Sequence, residues 1–300
     1  MPKYNPSLAL GPGGSPGPWG QAVEITWNRR DTLLYAVGIG IRNLRYIYEG
    51  HPNFAVFPTF AFNFGGAGAP LSSEAVPPSP GPMTINAEQL LEVIRPLPFK
   101  GKGSVSSRIV GVHPRGKGAG FVETESMFRN EAGDDCVRMV GGSFRRGVKQ
   151  LGDIEPFEGA GISYSQPLKM PKRPPDFSCE QFIPDNQAHI FRLSGDYNPL
   201  HIDPESAKSG GFSEPILHGF CTLGHCAHML LETICAGDPA CFRRIKVRFA
   251  SPVLLKDTLR VQAWRDGPGR VLFEADVGGK VVVSNAFFEF SEASAPASKL

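Results

Sequence analysis

The sequence predicts an α+β protein built on antiparallel sheets, and three observations carry that expectation. Segments 89–95, 104–112, 119–130 and 136–145 alternate apolar and polar residues with the period of two that a half-buried strand requires. The apolar run 217–236 is too long for a strand and stops at Gly237-Asp238-Pro239, so it reads as a long helix. Strand patterns resume at 243–250, 257–266 and 269–289, and the last divides at Gly278-Gly279 into a hairpin.

Taken in order, residues 1–20 are dense in Gly and Pro and are expected to form a flexible arm. Periodicity begins at Ile25, and 30–38, with Asp31 near its start, reads as a short helix. Residues 65–82 form a Gly/Pro-rich loop inside the first half, which spans 21–150. Pro156, Pro167, Pro171, Pro174 and Pro175 mark 151–178 as a linker. In the second half, 179–290, a short helix at 186–193 leads into a turn, followed by the long helix and its strands; 291–300 is a tail.

Three hundred residues with 41% hydrophobic content can bury one large core or two ordinary ones, and the pattern favours two. With 31 basic and 29 acidic residues, a net charge of +2 and no long basic run, nucleic acid is not an expected partner. No segment approaches the roughly eighteen uninterrupted apolar residues of a membrane span, and the first residues lack the charged start and apolar stretch of a secretory signal. The six cysteines form no Cys-x-x-Cys pair, and no disulfide framework is expected. His218, Cys221, His225 and His228 would share a helix face, but about 15 Å of helix rise separates the first from the last. They are therefore read as compact core groups, and no metal ligand set is expected.

Chemistry concentrates at Ser194-Gly-Asp-Tyr-Asn-Pro-Leu-His201, followed by His218-Gly219 at the start of the long helix. A turn through Asn198-Pro199 can fold Asp196 and His201 toward one small volume. A carboxylate and an imidazole sharing a water are acid/base equipment. Gly219, in the first turn of a helix, offers a bare backbone N–H to a developing negative oxygen. Taken singly, Asp196 reads as an Asx turn, His201 as a core histidine and Gly219 as a packing glycine. Their combination ahead of this helix reads as a catalytic site.

This segment resembles the signature of the hydratase 2 family, the (R)-specific 2-enoyl-CoA hydratases. These are related to MaoC-like proteins and to the hydratase part of peroxisomal multifunctional enzyme type 2. Further likeness lies in Asp31-Thr-Leu-Leu-Tyr-Ala-Val-Gly38, Tyr48-Glu-Gly-His-Pro-Asn-Phe54, Phe57-Pro-Thr-Phe60, and Arg95-Pro-Leu-Pro98, which looks like the start of a strand. Ile245-Lys-Val-Arg-Phe-Ala-Ser-Pro-Val253 adds to it, so that the resemblance covers roughly residues 22 to 290. It implies a double hot-dog fold, with an antiparallel sheet wrapping a long helix in each half. The first half would be non-catalytic and hold the acyl chain, the second catalytic, and the protein a homodimer.

It also implies hydration of trans-2-enoyl-CoA to (3R)-3-hydroxyacyl-CoA in peroxisomal β-oxidation. Asp196 and His201 would activate water as a coupled unit, Asn198 would fix the turn and orient the water or the pair, and the Gly219 N–H would hold the thioester oxygen. Tyr197, within the same turn, joins the substrate-binding set. Phe249 matches a position lining the substrate, and Arg115 a lysine near the CoA phosphates. Asn86-Ala87 stand where the family commonly has His-Gly, which bears on one acyl-CoA contact. No cofactor is expected, since CoA enters as part of the substrate. The final Ser298-Lys299-Leu300 matches the peroxisomal address read by an import receptor, so the peroxisome is the expected location. Three other activities fit: a peroxisomal 3-hydroxyacyl-CoA dehydratase of secondary metabolism, an acyl-CoA thioesterase, and a non-catalytic acyl-CoA-binding protein.

Overall fold

The computed structural model describes residues 5–64, 74–79, 84–115, 118–148 and 165–291. In chain order its elements are α1 (Pro6–Ala9), β1 (Val23–Trp27), α2 (Arg29–Gly38), α3 (Leu44–Ile47), β2 (Thr84–Val93), β3 (Gly101–Pro114), β4 (Gly120–Asn130) and β5 (Asp135–Arg145). There follow β6 (Phe177–Phe182), α4 (Gln187–Phe191), α5 (Pro204–Ser209), α6 (Gly219–Cys235), β7 (Phe242–Phe249), β8 (Thr258–Arg265), β9 (Arg270–Val277) and β10 (Lys280–Phe290). The strands read from alternation are present, as are α2 and α6. Arg95-Pro-Leu-Pro98 lies in the bend between β2 and β3, where its prolines have no N–H to donate to a ladder.

The chain divides into two compact units that interleave in sequence. The first is Met1–Ile25, Phe64–Leu91 and Lys102–Pro167; the second is Thr26–Asn63, Glu92–Gly101 and Leu168–Leu300. The expected boundaries, 21–150 and 179–290, therefore do not coincide with the compact units. Most of the loop 65–82, the first half of the linker and nearly all of the tail, with Ser298, Lys299 and Leu300, lie outside the described residues.

In the first unit the strand order is β1-β3-β4-β5-β2, with β3/β4 and β4/β5 antiparallel. The buried Glu125 carboxylate crosses the ladder to Arg108 and Arg138. The arm expected to be flexible is instead packed. Gly17 and Gly20 N–H donate to the Ile109 and Ser107 carbonyls of β3, each at 2.8 Å, and Ala9 and Leu10 are buried with Ile109, Val112 and Val122. Two apolar side chains amid the Gly and Pro residues anchor it.

In the second unit the order is β7-β10-β9-β8-β6, antiparallel throughout. The β9/β10 hairpin turns on Gly278 and Gly279, with φ of 56° and 86°, backbone that suits glycine. β6 begins within the expected linker and pairs with β8. α6, 17 residues long, buries Leu223, Ala227, Leu230, Leu231 and Ile234, while the strands bury Ile245, Val247, Val261, Phe273, Val283 and Phe288. Each of the Val, Leu, Ile and Phe side chains contributes about 1.5–3 kcal/mol on leaving water. Among the described residues of the first unit no α-helix exceeds the four residues of α1, and the ten-residue α2 of the first half falls in the second unit.

α2 belongs to the second unit because its apolar side meets α4. Tyr35 packs on Phe191 with ring centroids 6.1 Å apart, and the Gln187 amide donates to the Gly38 carbonyl. Farther on, the Tyr46 hydroxyl donates to the Gly237 carbonyl at 2.8 Å, beyond the end of α6. Cys235 and Cys241 are joined by a disulfide, their Cα atoms 6.1 Å apart, contrary to the sequence expectation. The left-handed Ala236-Gly237 turn and the turn at Asp238-Pro239 fold the chain back on α6 and bring the two sulfurs together. No helix among the described residues is long and apolar enough to cross a membrane.

Candidate active site

The turn at Asp196 is held by its own side chains. Asp196 Oδ1 accepts the Asn198 N–H at 3.2 Å, and Asn198 Oδ1 accepts the Leu200 N–H at 3.1 Å, capping the 3-10 turn Pro199–His201. Asp203 then caps α5 through the Glu205 and Ser206 N–H groups. With both ends capped, the segment turns back sharply enough to place Asp196 and His201 side by side.

A second segment completes the site. Ile216 bridges Leu254, and the Leu217 N–H donates to the Val253 carbonyl at 2.8 Å, which fixes the approach to α6. The Ile216 carbonyl sits 2.8 Å from His201 Nδ1. A carbonyl only accepts, so Nδ1 carries the proton and Nε2 presents a lone pair. His218, wholly buried, stacks on His201 with ring centroids 3.7 Å apart and donates from Nε2 to the Asp196 carbonyl at 3.2 Å. One ligand atom from each of Asp196, His201 and His218 lies within 4.8 Å of the others.

Electrostatics keep the imidazoles neutral. Burial pushes the His201 pKa below its usual value, partly opposed by the bond to the Ile216 carbonyl and by the Asp196 charge. Burial, reinforced by His201, pushes His218 down to about 4. At neutral pH His201 Nε2 is thus a free base beside a carboxylate. A water between them can lose a proton to the ring, and Asp196 stabilises the imidazolium that forms.

Gly219 is the first residue of α6, where the backbone N–H has no partner within the helix. A Cβ there would stand 3.2 Å from Phe249 Cζ and 3.3 Å from Cε2, so the Phe249 ring lies against the bare backbone of Gly219. Glycine at this position allows that close approach and leaves the N–H available to an anionic oxygen.

The other expected residues are placed differently. Tyr197 is 60% exposed, under the Arg192 guanidinium at 5.1 Å. Arg115 is exposed and lies over Phe121 at 5.7 Å in the first unit, and Asn86 and Ala87 stand on β2 of that unit. Asn86 Oδ1 accepts from the Gln89 amide at 2.6 Å. His218 joins the Asp196 cluster, although the sequence grouped it with Cys221, His225 and His228. Its signal was adjacency to Gly219. His225 is fully buried, with its pKa pushed down to about 3 by burial, and His228 pairs with Glu232 at 3.6 Å. Among the described residues, Asp196, His201 and His218 bring candidate ligand atoms within 4.8 Å of one another, but the stacked rings direct their lone pairs nearly parallel and not at one ion.

Two family models match this chain: the MFE-2 hydratase 2 N-terminal domain over residues 25–147 and the MaoC like domain over 167–286. The Dictyostelium discoideum protein named probable enoyl-CoA hydratase 2 is 34% identical over 88% of this chain and 90% of its own length. The chain belongs to the MaoC-like hydratase 2 family. This family member is also 36% identical over 92% of its length to the Drosophila melanogaster peroxisomal multifunctional enzyme type 2, of which it spans 48%. A crystal structure of a MaoC-like dehydratase from Phytophthora capsici superposes with a TM-score of 0.81 at 36% identity, covering 91% of this chain and 96% of that one. The hydratase 2 member has the double hot-dog fold, as the resemblance implied.

Proposed function

We propose that this chain adds water to trans-2-enoyl-CoA, giving (3R)-3-hydroxyacyl-CoA, as a hydro-lyase of peroxisomal fatty-acid oxidation. The observation that carries the reading is the convergence of Asp196 and His201, each held by capped backbone, in a cluster whose third member, His218, adjoins Gly219. His201 Nε2 takes a proton from water as the oxygen bonds to Cβ and the Cα–Cβ π electrons move toward the thioester. The negative thioester oxygen is met by the Gly219 N–H, and the proton held on the pair passes to Cα, returning the pair to its starting state. Delivery of oxygen and proton from one side makes the addition syn and the product a single configuration. Burial keeps His201 unprotonated, and the neighbouring carboxylate steadies its charged form, so the pair needs no metal or redox group.

Relatives named as enoyl-CoA hydratase 2 and as peroxisomal enzymes support the substrate and the location. An acyl-CoA partner, assembly as a homodimer and recognition by the import receptor belong to the same reading. Dehydration of a 3-hydroxyacyl-CoA is a second reading, favoured by the likeness to a structure named as a dehydratase, and it uses the same groups in reverse.

The test mixes purified protein with crotonyl-CoA and with a decenoyl-CoA and follows the ultraviolet band of the enoyl thioester. Loss of the band, a purely (3R) product and a rate lowered by roughly 10²-fold or more with Asp196→Asn are expected. A persistent band with folded protein would overturn the hydratase reading, and release of free thiol would replace it with a thioesterase.

A further inference from the structure

His218 is the buried side chain of the site to which the proposed hydration assigns no step. Its ring stacks on His201, with centroids 3.7 Å and planes 26° apart, and packs on Phe191 at 4.9 Å. Nε2 donates to the Asp196 carbonyl at 3.2 Å, and a carbonyl only accepts, so this nitrogen carries the proton. Nδ1 is left as a buried lone pair with no hydrogen-bond partner. A buried acceptor left unmade is costly, and a phenyl ring would fill the same space without that cost. Filling space therefore does not account for a histidine here. The backbone adds a second constraint, because His218 is the N-cap of α6, one peptide before Gly219. One residue thus ties the turn carrying Asp196 and His201 to the helix end whose N–H meets the thioester oxygen.

We propose that His218 is a positioning residue of the hydration: its ring fixes the plane of the His201 imidazole, and its N–H holds the Asp196 turn in register with Gly219. The effect on rate rests on the hydratase reading; the placement of His201 does not. The Ile216 carbonyl holds His201 Nδ1 at 2.8 Å but leaves the ring room to rock about that bond. A flat neighbour at 3.7 Å removes that freedom, so Nε2 keeps one direction toward the water. The stack also suits the charge that forms. When Nε2 takes the proton of the water, the His201 ring becomes a cation, which the face of a neutral aromatic neighbour attracts and a protonated His218 would repel. Burial above all keeps His218 neutral, its pKa pushed down to about 4, with His201 and Arg192 lowering it further and the Asp196 charge opposing them.

The experiment compares the wild-type chain with His218→Phe, which keeps a flat ring and loses the N–H, and with His218→Gln, which keeps an N–H and loses the ring. It reads crotonyl-CoA hydration against pH, the melting temperature, and the His201 ring nitrogens by ¹⁵N NMR without substrate. In His218→Phe, kcat should fall by about tenfold or more with KM little changed and the acid limb of kcat/KM where the wild type has it. In His218→Gln, kcat should fall by a similar factor, the acid limb should rise toward the ordinary histidine value of about 6.5 as water reaches His201, and the single Nδ1–H tautomer should give way to a mixture. A folded His218→Phe with wild-type kcat would overturn the proposal, because only the volume of the ring would then matter. A His218→Gln with the acid limb and His201 tautomer of the wild type would overturn it equally, and decides the matter if His218→Phe does not fold. If the wild-type chain leaves crotonyl-CoA untouched, the hydratase reading falls and the NMR comparison still decides: one His201 tautomer in the wild type and a mixture in His218→Gln keeps the placement, and one tautomer in both removes it.

Discussion

Acid should destabilise this protein through two buried histidines well before its carboxylates are protonated. His218 and His225 are both fully buried, and burial lowers their pKa values from 6.5 to about 4 and about 3. Between the unfolded value and these folded values the unfolded chain binds more protons than the folded one. Stability is therefore complete above pH 6.5 and is lost as the pH falls toward the folded values. At about pH 5 each ring has given up about 1.5 units of its shift, about 2 kcal/mol, and the pair about 4 kcal/mol. That is a large part of an ordinary domain's stability. Urea unfolding followed by circular dichroism at about pH 7.5 and about pH 5 measures the loss. His218→Gln and His225→Leu should each remove about 2 kcal/mol of the pH dependence, whatever they do to stability at the higher pH. A wild-type stability that is flat over this interval, or variants with the same slope as wild type, would refute the reasoning.

The acid limb of kcat/KM for enoyl-CoA hydration should fall below pH 6.5, because His201 is depressed by burial; a limb at or above that value counts against His201 as the base. Asp196→Asn should lower kcat/KM by roughly 10²–10⁴-fold with little change in melting temperature, read from initial rates and a thermal scan. Gly219→Ala keeps the N–H but adds a Cβ 3.2 Å from the Phe249 ring, and should lower kcat by about 10²-fold by holding the thioester oxygen away from that donor. Equal kcat in that variant would show that a close approach at residue 219 is not needed. Cys235→Ser should cost about 2 kcal/mol, the entropy of a short closed loop, and reductant should reproduce the loss in the wild-type chain.

The parts of this molecule that could be read along the chain are those whose causes are local. Strands β3, β4, β5 and β8 to β10 were legible from runs of apolar residues bounded by turns; β8 alternates in burial, whereas β4 and most of β3, β9 and β10 are buried on both faces. The length and apolar content of α6 mark it as a core helix. The Asp196–His201 turn was legible because Asp196 and Asn198 cap backbone only two residues away. β6, which starts at the end of the expected linker, was missed because only its pairing with β8 makes it a strand.

Tertiary structure alone decided the rest. That α2 packs on α4, that the amino-terminal arm lies along β3, and that Cys241 returns to Cys235 all depend on contacts between distant segments. His218 is the sharpest case. In sequence it is one member of a His/Cys stripe; in the fold, the Ile216–Leu254 bridge delivers it onto His201 and away from His225 and His228. The sequence by itself determined an antiparallel α+β chain with an acid/base turn ahead of a core helix, since caps and periodicity act over a few residues. The tertiary structure decided which histidine joins that turn and in what protonation state, since burial and stacking arise only when remote segments exclude water from one another.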